Sequence, residues 1–191
     1  MRLRALGYAV DVRPLVEIEV VETGPVDLSG YDWLVLTSAT GARELRRRAR
    51  GRPARVAAVG RATAEAWGEV DLVASVSTQE GLLAELPRPP GRVLFAGAEG
   101  ARRLLADELG ADFVALYRTT PLVPDEAPDG DLAVVASPSA ARVLAAVAPA
   151  MPVVSIGPET SAAAKAAGLV VLAEAKEPGV DGLVWAVAEA G

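Results

Sequence analysis

Short runs rich in Val and Leu alternate along the chain with alanine-rich segments whose apolar positions recur at helical spacing. The strand-like runs are WLVLTS (33–38), RVAAVG (55–60), RVLFAG (92–97), FVALYRT (113–119), DLAVVAS (131–137) and PVVSIG (152–157). Helices are predicted over 40–50, 62–68, 79–86, 100–109, 139–147, 160–167 and 181–189, with turn-rich joints at PRPPG (87–91) and VPDEAPDGD (123–131). Strands that are apolar throughout rather than alternating are buried on both faces. Helices between them supply the crossover that parallel strands require. The pattern predicts an α/β protein built on parallel sheet.

A repeat underlies this alternation. LTSATGAREL (36–45) aligns with VASPSAARVL (135–144), which sets Ser38 over Ser137, Thr40 over Ser139 and Arg43 over Arg142. VGRATAEA (59–66) aligns with IGPETSAA (156–163), setting Gly60 over Gly157 and Thr63 over Thr160. STQEGLLAEL (77–86) likewise resembles EPGVDGLVWAV (177–187). Two copies of one α/β half point to two similar doubly wound domains. Ligands of such sheets bind at the C-terminal ends of the strands.

Composition narrows the chemistry. The chain of 191 residues contains no cysteine and no histidine, which removes disulfides, thiolate nucleophiles, Ser-His-Asp triads and most zinc chemistry. A hydrophobic fraction of 51% leaves ample material for a core, yet no apolar run approaches a membrane span and the opening MRLRALGYAV has no signal-peptide core. We therefore expect a cytoplasmic protein that binds no membrane. A net charge of −6 argues against nucleic acid. Of the 19 basic residues 17 are arginine, and RELRRRARGRPAR (43–55) holds seven of them. The plain reading of that run is a solvated helix face.

The strand ends carry the candidate chemistry. Each repeated motif ends a strand on Gly, Ser or Thr and then opens a helix, so a hydroxyl can cap the helix while neighbouring N–H groups remain free for an anion. VGRATAEAW (59–67) has neither the lysine of a phosphate loop nor the glycines of a dinucleotide fingerprint, which disfavours a nucleotide-dependent enzyme. Taken singly, Ser38 or Thr63 reads as a helix cap. Taken together, the termini would offer dispersed donors suited to a flexible ligand with many carboxylates.

The ordered series LTSATGAREL, VGRATAEAW, STQEGLLAEL, FAGAEGARRLLADEL, LYRTTPL, VVASPSAARVL, SIGPETSAAAKAAGL and EPGVDGLVWAV resembles the uroporphyrinogen-III synthase family over nearly the whole chain. The resemblance implies two flavodoxin- or Rossmann-like domains joined by a two-stranded linker, with a cleft between them. One domain would comprise residues 1–14 and 120–191 and the other 20–116, with connecting strands at 12–21 and 115–122. It also implies a cofactor-free, metal-free lyase of tetrapyrrole synthesis, expected to be a monomer. Such an enzyme takes linear hydroxymethylbilane, with a possible hand-over from hydroxymethylbilane synthase, expels water, inverts the fourth ring and closes uroporphyrinogen III. The competing expectation is an inactive module that keeps the fold and binds a tetrapyrrole or another polyanion.

By that resemblance Tyr117 is the candidate acid; read without it, Tyr117 is a linker-strand tyrosine packing its ring. Thr37, Ser38, Thr63, Ser137, Ser139 and Thr160 match the ligand-facing strand ends, with backbone N–H groups around Ala39, Ala62 and Ala162 beside them. Arg43, Arg61, Arg118 and Arg142 are supplementary donors, with plain surface positions as the alternative. The family begins with a strand, a turn and a full helix, whereas here only RLRALG (2–7) matches that helix, so a strand of the first domain is expected to be missing. Ala136 stands where the later motif often carries threonine.

Overall fold

The computed structural model describes residues 2–21, 24–177 and 179–191. The chain divides into two compact units, one of residues 1–17 and 120–191 and the other of residues 18–119. The elements run α1 (Arg2–Ala5), β1 (Val16–Val20), β2 (Val26–Asp27), β3 (Trp33–Leu36), α2 (Ala39–Arg48), β4 (Ala49–Arg50), β5 (Arg55–Ala58), α3 (Arg61–Trp67), β6 (Leu72–Val73), α4 (Gln79–Glu85) and β7 (Val93–Ala98). They continue with α5 (Leu104–Leu109), β8 (Asp112–Pro121), β9 (Ala133–Val135), α6 (Pro138–Val147), β10 (Val153–Ser155), α7 (Pro158–Ala166), β11 (Val171–Glu174) and α8 (Val180–Ala190).

Residues 18–119 build on a sheet of order β1-β8-β7-β3-β5-β6. From β8 to β6 every neighbouring pair is parallel. β1 lies antiparallel to β8, since Val21 N–H donates to the carbonyl of Leu116 and Leu122 N–H to that of Leu15. All four residues of β3 are buried, which is what its uninterrupted apolar run requires. Leu34 and Leu36 face a cluster with Ala42 and Leu45 of α2. Trp33 and Val35 face the opposite cluster with Phe95, Leu82 of α4 and Leu105 of α5. Helices thus cover both sheet faces, and each fully buried Leu or Phe contributes about 1.5–3 kcal/mol.

The other unit is smaller. Its sheet has the order β11-β10-β9, with both pairs parallel. Val135, Val153, Ala141 and Leu144 form one cluster, while Val154, Ala186 and Val187 belong to a second on the α8 side. β11 escaped the sequence reading because VLAE is short and mixes Ala and Glu with its apolar residues. Its pairing with β10, rather than local propensity, makes it a strand.

Two predicted helices need correction. The helix expected over 40–50 ends at Arg48, and Ala49–Arg50 becomes a short strand paired with β2. The helix expected over 100–109 starts at Leu104. The carbonyl of Arg102 accepts from Gln79 Nε2 at 3.2 Å and its guanidinium grips Glu80 at 2.7 Å, so residues before Leu104 are tied to α4 instead of to a helical turn.

The third repeat pair has a shared steric origin. A Cβ on Gly81 would run into the carbonyl oxygen of Val76, and one on Gly182 into that of Glu177, five positions earlier in both cases. Glycine here makes room for the incoming chain. Alanine would ordinarily favour a helix by about 1 kcal/mol. We predict instead that Gly81→Ala and Gly182→Ala each destabilise the protein by about 1–3 kcal/mol through overpacking. Urea unfolding midpoints will read the sign; an unchanged or raised midpoint would contradict it.

Candidate functional site

The strand ends of the larger unit bring three predicted residues together. Ser38 follows β3 in extended backbone (φ −153°, ψ 145°) and caps α2, its Oγ accepting the Gly41 N–H at 2.9 Å. The same Oγ is 2.9 Å from the Tyr117 hydroxyl, an O–H···O bond that either group can donate. Thr37, half-buried, precedes this pair, and its Oγ1 lies 3.6 Å from where a Gly97 Cβ would stand.

Tyr117 reaches Ser38 because β8 slips register. Gly97 pairs with Ala115 but Ala98 pairs with Tyr117, leaving Leu116 as an extra residue. An extra residue breaks the two-residue side-chain alternation. Consecutive Leu116 and Tyr117 consequently both join the cluster against α2. The phenol is 8% exposed. Burial pushes its pKa above the ordinary value, with the Ser38 hydrogen bond pulling the other way. At neutral pH it keeps its proton.

Sequence reasoning missed Gly41. A Cβ there would stand 3.0 Å from Ser38 Oγ and 3.6 Å from Tyr117 Cε1, so a bare glycine lets the capping hydroxyl and the ring share the first turn of α2. The signal was present in the repeat, where Gly41 aligns with Ala140. Ser137 likewise caps α6, accepting from Ala140 N–H at 3.2 Å, so alanine fits at the matching position.

Thr63 and Thr160 are not capping residues. Gly60 and Gly157 occupy the cap positions without any side-chain hydrogen bond, and the threonines sit third in α3 and α7. Both are buried, at 4% and 2% exposure. The glycine at 60 is explained by contact, since a Cβ there would approach Ser77 Oγ to 2.8 Å. Helix geometry leaves the N–H groups of the first residues of α2 and α3, including Ala39 and Ala62, without an intrahelical acceptor. Ala162 differs: fifth in α7, its N–H falls within the helical ladder. Ser139 is half-buried in the first turn of α6. A buried Ser155–Ser161 bond of 2.6 Å, which the sequence did not reveal, ties β10 to α7.

The arginines divide. Arg43, Arg61 and Arg142 are exposed near the starts of α2, α3 and α6. Arg118 lies 3.6 Å from Glu99 and 3.9 Å from Glu19, so an anion would compete with two carboxylates for it. Among the described residues no group of His, Cys, Asp or Glu could hold a metal ion, and no helix is long and apolar enough to cross a membrane.

The family model described as uroporphyrinogen-III synthase HemD matches residues 1–185. The chain belongs to the uroporphyrinogen-III synthase family. Among solved structures, a mutant uroporphyrinogen III synthase from the extremely thermophilic bacterium Thermus thermophilus is 16% identical with a TM-score of 0.62, covering 97% of this chain and 89% of its own. The wild-type enzyme of that organism, in its second crystal form, is 17% identical with a TM-score of 0.50, covering 91% of this chain and 86% of its own. At such identities the likeness speaks for the mixed α/β fold with parallel sheets. No protein of curated function matches the chain by sequence.

The Ser38–Tyr117 bond generates a prediction in two readouts. Ser38→Ala removes a helix cap, at a cost of about 0.5–2 kcal/mol. It also removes the one influence that lowers the Tyr117 pKa, so the phenol should titrate at higher pH than in the wild type. Because the folded pKa is raised, Tyr117 contributes stability that is fully present below its ordinary value near 10.0 and is lost as pH rises through the folded value. Ultraviolet titration of the phenols checks this, with Tyr117→Phe identifying the relevant step. Tyr31 also titrates late, chiefly through burial. No upward shift in Ser38→Ala would contradict the assignment.

Proposed function

We propose that this chain closes hydroxymethylbilane, a linear tetrapyrrole with eight carboxylates, into uroporphyrinogen III. The observation that carries the reading is membership of a family of cyclising lyases over residues 1–185. The reaction breaks the C–O bond of the hydroxymethyl group, releases water, inverts the fourth ring and closes the macrocycle. The electron-rich pyrrole expels the hydroxyl with little help. Most of the enzyme's task is therefore to hold one folded geometry of the bilane, a problem of orientation.

Tyr117 is the proton donor in this reading. When Ser38 donates its hydrogen to the Tyr117 oxygen, while accepting from Gly41 N–H, the phenol proton is free to point at the departing oxygen. The proton and hydroxide leave together as water, and Tyr117 recovers a proton as the ring closes. Thr37, Ser38 and the first N–H groups of α2, at Ala39, receive substrate carboxylates, with Ala62 and Thr63 at the start of α3 beside them. Ser137 and Ser139 at the start of α6 are matching donors, and Thr160, buried third in α7, holds the first turn of that helix in place beside them. Arg43, Arg61, Arg118 and Arg142 add charge. The two units are two similar domains whose connecting strands are β1 and β8. The enzyme works as a monomer without a cofactor and receives its labile substrate from the synthase that makes it.

The test is to generate hydroxymethylbilane with that synthase, add this protein, oxidise the products and separate the isomers by chromatography. Type III uroporphyrin should predominate; type I alone from folded protein would leave only a binding module. Tyr117→Phe should lower kcat by about 10²-fold or less, the low end of general-acid effects, while still yielding type III. A switch to type I in that variant would assign Tyr117 to substrate folding instead of proton donation.

A further inference from the structure

The arginine-rich run is only partly used by the site above. Its residues 46–55 include six arginines and no acid, on a chain of net charge −6. In the unit of residues 18–119 they border a groove of about 620 Å³, whose lining includes Val56, Trp67 and Val70 together with Arg46, Arg52 and Arg55. That volume lies in the range of small-molecule sites. The groove is at the far end of the sheet from Ser38. Arg55 opens β5 in register with Trp33, the first residue of β3, whereas Ser38 and Gly60 follow the last residues of those strands.

The simplest role for these arginines is to offset the negative ends of α2 and α3, which terminate beside the groove. Arg46 fits that role, since its Nη1 lies 3.9 Å from where a Cβ on the α3 cap residue Gly68 would stand. It does not account for the other two. Arg52 belongs to the loop after β4, and Arg55 places its guanidinium carbon 4.7 Å from the centroid of the Trp33 ring, on the sheet face opposite Val56. Among the described residues neither Arg46 nor Arg52 makes an ion pair or side-chain hydrogen bond. The lining also holds two carboxylates, Glu69 and Asp71, the second accepting the Val56 N–H at 2.7 Å, so the anion would be met by the Arg46 and Arg52 guanidinium groups.

We propose that this groove is a second anion-binding site, which takes a flat molecule carrying several carboxylates. Its ring system lies against Trp67, and its carboxylates meet Arg46 and Arg52 in the paired geometry that guanidinium favours. The site is separate from the strand ends and does not depend on the type III reaction.

Uroporphyrin I, a planar octacarboxylate, serves as the probe. It is titrated into the whole chain by calorimetry and by tryptophan quenching, at low and at moderate salt. The Arg46→Glu/Arg52→Glu variant should bind one molecule fewer than the wild type, or bind that molecule at least about tenfold more weakly for loss of two charge-assisted contacts. Its type III rate at saturating bilane should be unchanged, and its melting temperature should fall only slightly, by the cost of a reversed charge at the helix ends. Trp67→Phe should retain the calorimetric site while losing part of the quench, and added salt should weaken the groove site. Arg52→Ala, an exposed loop change, provides the same comparison should the double variant unfold. Equal stoichiometry and affinity in wild type and variants would overturn the proposal. Loss of the isomer reaction with the groove site intact would count against the enzymatic reading alone.

Discussion

A parallel strand buried on both faces can meet water only at its ends. β3 shows the constraint at its strictest, with Trp33 and Val35 against one helical layer and Leu34 and Leu36 against the other. Polar groups are then most readily placed where such strands stop and the next helix begins, Tyr117 within β8 being the exception that a register slip allows. Ser38, Gly60, Ser137 and Gly157 all occupy that position. An enzyme without histidine or cysteine can work under this rule, because what it collects there is a set of hydroxyls and unpaired N–H groups. Such donors suit a substrate whose difficulty is its shape.

The two units answer the constraint alike and then diverge in one detail. Ser38 and Ser137 cap their helices with nearly the same backbone angles, and the threonines third in α3 and α7 are buried in both. Among the described residues, only the larger unit places a tyrosine against its cap. That required two local departures from regularity: a register slip that brings Tyr117 onto the α2 side of β8, and a glycine at 41 that leaves space for its ring. The phenol ends up buried and hydrogen-bonded, so its proton is retained and its orientation set by a residue already engaged by the backbone.

Charge is distributed by the same logic. Arginines gather where α2 and α3 end, opposite the strand ends that carry the hydroxyls, and so an acidic chain presents an arginine-bordered groove. Arg118, by contrast, sits among Glu19 and Glu99, which moderates its claim to a substrate carboxylate. The strand ends themselves present oriented neutral donors, whose strength depends on exclusion of water.

The alternation of apolar runs and helices, the internal repeat and the strand-end positions of Ser38, Gly60, Ser137 and Gly157 were all determined by the sequence alone, because burial on two faces and capping are short-range requirements written into neighbouring residues. β11, the early end of α2 and the late start of α5 were not legible, since pairing with β10, pairing with β2 and the grip of α4 on Arg102 decide them from a distance. The same holds for the candidate site. Tyr117 could be named from the chain, but its bond to Ser38 spans 79 positions. Only the tertiary structure shows that a slipped strand and a missing Cβ bring the two hydroxyls together, because side-chain direction in a strand depends on register and register is set by the neighbouring strand.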